Sequence, residues 1–234
     1  ASGFNTHVVE TDDAFRFANS SFEFDIGPNG QAHFIYRNDA DEIIHARPTG
    51  PSWVPNPTWQ IAPLPGITPA PGDFVLPYDM NVDDSGIVHL LYEPFSDSPN
   101  TSGLHYARYD NQAWTTARVD GMLGSPTDPK LALGPDDSVN IFTIDTVSGE
   151  TDLLRRGVQT PTGWAFDTID SWTNTVSGPE AISPVIDQNG DAHVLYANDS
   201  QNIFYAFLEE GLPPVATALL IPVDDGYSLA SSNT

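Results

Sequence analysis

One thirteen-residue frame constrains this chain more than anything else in it. Residues 184–196 read P-V-I-D-Q-N-G-D-A-H-V-L-Y, an apolar run, an Asn-Gly turn and a second apolar run, which together predict a β-hairpin. The frame recurs without a gap at 24–36 (F-D-I-G-P-N-G-Q-A-H-F-I-Y) and at 80–92 (M-N-V-D-D-S-G-I-V-H-L-L-Y). A degraded copy, L-A-L-G-P-D-D-S-V-N-I-F-T, occupies 131–143. His33, His89, Asn140 and His193 share one column of the frame, 56, 51 and 53 residues apart. A repeat of that length built from strands marks an array of β modules that bury their faces against one another.

Each repeat continues past the hairpin. A third short strand is expected at 43–46, 104–107, 153–156 and 203–206. A fourth is marked by an aromatic, an apolar residue five positions on, and then an acid: Trp114 with Val119 and Asp120, and Trp164 with Ile169 and Asp170. Val215 with Leu220 is a weaker copy, and in the first repeat Trp53 and Trp59 lie in a proline-broken stretch without clear register. Four strands and a connector per repeat make a propeller blade, so the expected class is an all-β propeller of four blades of ~53 residues. The blades are placed at 21–65, 75–121, 128–172 and 181–223 of a single domain, 1–234. Phe4 with Val9 and Glu10 repeats the fourth-strand pattern without the first three, so 4–10 is expected to latch the ring shut. The alternative is five blades, the fifth shared between the N- and C-termini.

Twenty-one prolines and eighteen glycines interrupt every candidate helix, and no stretch sustains an apolar period of 3.6. Eight basic residues face thirty-two acidic ones, a formal charge of −24. That balance argues against nucleic acid as a partner and against an anionic membrane surface, since both need a positive patch. It suits a hydrated, salt-tolerant surface. No run of eighteen apolar residues occurs, so membrane insertion through a helix is not expected. Cysteine is absent, so no disulfide staples the fold. The chain begins at Ala1 rather than Met, which suits a processed protein secreted or displayed at the cell surface, or a piece of a longer one.

The frame D-x-x-G-x-x-H-Φ-x-Y, followed by a Φ-x-Y-A strand and a Trp strand, resembles secreted microbial repeat propellers, distant relatives of the Asp-box (sialidase-like) propellers. The resemblance covers nearly the whole chain and implies architecture. The Asp box itself, S-x-D-x-G-x-T-W, does not occur, and the seven arginines are scattered, so no catalytic residue is carried over.

Three groups of residues are candidates for chemistry. The repeated histidines should be largely buried between blades and hydrogen-bonded, and the Asn140 substitution argues against a shared proton-transfer role. Asp187, Asn189 and Asp191 have the alternating oxygen spacing of a calcium loop, but the later Glu of such a loop is missing, and hairpin chemistry alone accounts for an Asn-Gly turn. Trp53, Trp59, Phe74, Tyr78 and Trp172 fall in or beside the long connectors, where flat rings stack on sugar faces. No G-x-S-x-G elbow, H-E-x-x-H or phosphate-cradling glycine loop is present. His105 and Tyr106, a pair suited to β-elimination, point to opposite faces of a strand. The sequence therefore points to a non-catalytic scaffold that binds a glycan or an extracellular protein on its loop face, with no cofactor except possible Ca2+. A polysaccharide hydrolase or lyase, and a structural module of a larger surface protein, are the alternatives.

Overall fold

The computed structural model describes residues 22–50, 57–67, 73–95, 103–147, 151–173, 179–198, 203–211 and 219–221. All regular structure among them is β. Sixteen strands form four antiparallel four-stranded sheets, each a simple meander in chain order. The first sheet is β1 (Phe22–Ile26), β2 (Ala32–Arg37), β3 (Ile43–Pro48) and β4 (Trp59–Pro63). The second is β5 (Phe74–Val82), β6 (Val88–Phe95), β7 (His105–Tyr109) and β8 (Trp114–Arg118). The third is β9 (Ser125–Leu133), β10 (Val139–Val147), β11 (Thr151–Thr160) and β12 (Gly163–Thr173). The fourth is β13 (Pro179–Ile186), β14 (Ala192–Asn198), β15 (Ile203–Leu208) and β16 (Leu219–Ile221). These are the four blades of a β-propeller. They fall into two compact units, 1–119 with the first two sheets and 120–234 with the other two.

Register settles two points that the sequence left open. Trp59 pairs with Pro48 as Trp114 pairs with Tyr109 and Trp164 with Gln159, so the first blade's outer strand starts at Trp59. Residues 219–221 pair with β15 and complete the fourth sheet. The expected latch at 4–10, and a fifth blade shared between the termini, lie outside the described residues.

The hairpin frame folds through one turn repeated four times. Gly27, Asp83, Gly134 and Asp187 each receive the backbone N–H of the residue three positions later and donate to the carbonyl of the residue four later. The residue three positions on is left-handed each time: Gly30 (φ 73°), Gly86 (φ 78°), Asp137 (φ 60°) and Gly190 (φ 88°). Only this position needs positive φ, so the turn is a three-residue loop closed by a left-handed residue rather than a two-residue Asn-Gly turn. Asp137 takes the strained conformation in the degraded copy, where Asp is among the few tolerated side chains.

Alternation then sends neighbouring side chains to opposite faces, and within each unit the facing sheets close a core. In the first unit Ile35, Ile43, Val75, Met80, Leu90, Tyr92 and Ala107 are buried together. In the second, Phe142, Ile144 and Leu154 meet Ile182, Val194, Tyr196 and Ala206. The bare edge of β5 is blunted by Asp25, whose carboxylate accepts the Val82 N–H at 2.7 Å. Asp128 does the same for the Ile182 N–H at 3.1 Å.

The second unit also buries a charge pair. Arg155 Nη1 donates to Asp145 Oδ2 at 2.7 Å, with Asp145 completely buried. The Leu123 N–H and the Gly121 carbonyl complete the partners. The guanidinium stacks over Phe166 at 4.6 Å, and that ring lies so close to Gly157 that a Cβ there would sit 2.6 Å from it. Truncating Arg155 to Ala should leave Asp145 charged and uncompensated, costing about 3–5 kcal/mol. Chemical denaturation of the variant would show this as a lowered midpoint, and an unchanged midpoint would refute it.

Candidate binding cleft

The His column ties strands together. In the registers of the four sheets each column residue lies diagonally across from one position of the third strand: His45, Tyr106, Arg156 and Tyr205. All four pairs are hydrogen-bonded. His89 Nε2–H donates to Asp83 at 3.1 Å, and its Nδ1 lies 2.7 Å from the Tyr106 hydroxyl. Arg156 Nε donates to Asn140 Oδ1 at 2.9 Å, and His193 Nδ1 lies 2.7 Å from the Tyr205 hydroxyl. His33, His89 and Asn140 are buried, whereas His193 is only half-buried.

In the first sheet the pair is His33 Nδ1 and His45 Nε2, 3.0 Å apart with stacked rings. His45 is there the floor of a cleft of about 290 Å3 between the first and second sheets. Strand alternation puts His45 and Arg47 on one face of β3, and register sets Ala62 and Gln60 of β4 opposite them. Pro63 and Pro65 continue that wall. Tyr109 and Trp114, a cross-strand pair at the β7–β8 turn, form the other wall with ring centroids 5.2 Å apart. Both meet the His45 ring edge-on at 5.3 Å.

Arg47 crosses the cleft. Its Nε donates to Gln60 Oε1 and its Nη1 to Asn111 Oδ1, both at 3.1 Å, while the guanidinium lies 5.0 Å from the Tyr109 ring centre. Asn111 is held left-handed (φ 68°) in the β7–β8 turn and donates to the Gly86 carbonyl at 3.1 Å. The fork is thus fixed in direction before any ligand arrives. Burial, the neighbouring imidazole and Arg47 hold His45 down at about 3, and burial with Arg47 holds His33 at about 4. Both rings are neutral at physiological pH. The cleft combines an aromatic wall, an oriented cation, an amide and a neutral imidazole, a set that can stack on an apolar ring face and donate to oxygens.

None of the four described aromatics singled out from sequence, Trp59, Phe74, Tyr78 and Trp172, lines this cleft. Trp53 lies outside the described residues. The other four stand in strands rather than connectors, because the strands run further than the local proline content suggests. Trp59 is on the opposite face of β4 from Gln60 and packs edge-on against Phe34 at 5.4 Å. Phe74 stacks on Phe95 at 4.7 Å, and Tyr78 donates its hydroxyl to Glu93 at 2.8 Å. Trp172 meets Tyr196 at 5.6 Å beside the core of the second unit. Asp187 accepts the N–H groups of Asn189 and Asp191, and Asp191 accepts that of Glu210, so these oxygens fasten turns. Among the described residues no group of three His, Asp or Glu side chains is arranged to hold a metal. Sequence reasoning missed Arg47, Gln60 and Tyr109 as site residues and read Trp114 only as the marker of a fourth strand.

The low histidine values set a pH dependence. Unfolded histidines protonate near 6.5 and folded ones not until about 4 and 3, so the unfolded chain binds more protons as pH falls below 6.5. Their contribution is complete above 6.5 and declines as pH drops toward 4, by up to ~1.4 kcal/mol per pH unit for each ring. Replacing His33 by Asn, the residue standing at 140, should flatten the stability slope of the first unit between pH 6.5 and 5. Denaturation midpoints across that range would reveal it, and parallel slopes for the two proteins would contradict it.

No protein-family model and no curated protein sequence matches the chain. Solved structures match it by fold. AofleA from Arthrobotrys oligospora superposes with a TM-score of 0.54 at 14% identity, over 87% of this chain and 57% of its own. A variant of the Aleuria aurantia lectin in complex with alpha-methyl-L-fucoside gives 0.53 at 12% identity, over 90% and 64%. The polysaccharide lyase Uly1 gives 0.52 at 10% identity, over 92% and 57%. The chain therefore spans about three-fifths of the length of these structures, and what it shares with them is the propeller architecture.

Proposed function

We propose that the protein is a glycan-binding module, with a sugar seated in the cleft between the first and second sheets. The observation that carries this reading is the pairing of the Tyr109–Trp114 wall with the pre-oriented Arg47 and Gln60. A pyranose presents apolar C–H patches on its faces and hydroxyls around its rim. The rings offer a surface for the first, and Arg47, Gln60 and His45 offer polar groups for the second. A lectin in complex with a fucoside shares the fold, which agrees with this reading. An extracellular setting belongs to the same proposal.

Removing the stacking surface should be decisive. Trp114→Ala should weaken glycan binding at least tenfold, while Trp59→Ala, on the other face of the first sheet, should leave it unchanged. Glycan-array screening followed by calorimetry on the captured glycan measures both. Equal binding by wild type and the Trp114 variant would refute the assignment of the cleft.

One observation favours a second reading, a polysaccharide-active enzyme. Burial raises the Glu93 carboxyl above the usual range against opposing hydrogen bonds from Tyr78 and the backbone at Gly103. A perturbed, hydrogen-bonded acid is the kind of group that proton transfer uses. On this reading Glu93→Gln would abolish release of reducing ends or unsaturated products from a polysaccharide panel. A wild-type protein that leaves the whole panel intact removes it.

A further inference from the structure

The cleft differs in charge from the protein around it. Thirty-two acidic residues outnumber eight basic ones, yet among the described residues the cleft is lined by one cation, Arg47, and by no carboxylate. The partners of Arg47 are two neutral amides and an aromatic ring, so its charge meets no counter-ion among the described residues. The two buried histidines beside it add no negative charge. Its Nη2, with two N–H groups, makes no hydrogen bond among the described residues.

The second unit shows what this repeat does when a cation is merely structural. At the positions corresponding to His45, Arg47, Gln60 and Ala62 the third sheet carries Arg156, Val158, Ala165 and Asp167. The Arg156 guanidinium lies in the field of Asp167, Glu210 and Asp191. That arginine has three carboxylates in its surroundings, whereas the Arg47 cleft is lined by no acid among the described residues, in a chain where acids are four times as common as bases.

We propose that the cleft selects an anionic saccharide, one bearing a carboxylate or sulfate, and that Arg47 is the residue that determines this specificity. The inference rests on the glycan-binding reading and narrows it to a ligand class. A guanidinium whose Nε and Nη1 are tied back to amides presents its Nη2 edge in a fixed direction, which suits an oxyanion better than a mobile ammonium would. The acidic remainder of the surface repels anions at long range, so the attraction must be made at contact.

The experiment compares methyl β-D-glucuronide with methyl β-D-glucoside, which differ only in the carboxylate, by calorimetry and amide chemical-shift titration at low salt. The glucuronide should bind at least tenfold more tightly. Arg47→Gln should weaken the glucuronide far more than the glucoside, bringing the two affinities together, and Arg47→Lys should restore only part of the difference. Glucose 6-sulfate against glucose tells whether sulfate serves as well as carboxylate. Equal binding of each pair, or a preference that survives Arg47→Gln, overturns the charge selection while leaving a Trp114-dependent neutral glycan site standing. Loss of every sugar contact in wild type, with silence across the glycan array, overturns both.

Discussion

Everything in this chain depends on covering both faces of each sheet. A strand such as β6 is buried along most of its length, with Val88, His89, Leu90, Leu91 and Tyr92 pointing to alternating sides. Such faces cannot be left to water, so a sheet of this kind needs a neighbour, and within each unit the repeat supplies one. The array follows from that requirement more than from the stability of any single sheet.

The same requirement explains the histidine column. A polar residue in the middle of a buried strand has no access to water, so it must find its partner in the protein. The third strand provides it diagonally, and the four pairs solve the problem with different chemistry: two imidazoles, imidazole and phenol twice, amide and guanidinium once. Geometry is conserved along the repeat while the atoms change. Proton chemistry has no such freedom, and this separates a strand tie from a catalytic set.

That division also explains what could be read from the sequence. The strands, the hairpins, the four blades and the all-β class were legible because they are local, written in alternation, in left-handed glycines at a fixed position and in a 51–56-residue spacing. The cleft was not, because its residues come from two successive repeats and meet face to face. Arg47 and Trp114 are 67 positions apart, and nothing in either local pattern says that they share a cavity. Composition misled on the aromatics. Proline-rich flanks suggested loops around Phe74 and Tyr78, but β5 runs through Pro77 with a register shift beside it, so those rings are fixed in a sheet.

The cleft shows how a repeat array comes to hold a distinct site. Alignment by register puts Arg108, Val158 and Phe207 where the first sheet has Arg47. Only the first sheet adds His45 and Gln60 beside the cation, and the second sheet meets it within the same unit with Tyr109 and Trp114. Arg47 and Gln60 are not needed to form a blade: Val158 and Ala165 fill the corresponding places of the third sheet with the strand pairing intact. Residues that the fold does not require, gathered around one cation held by neutral partners, are those free to answer to a ligand. Selection for folding sees the alternation, and selection for binding sees what alternation leaves unspecified on the facing surface.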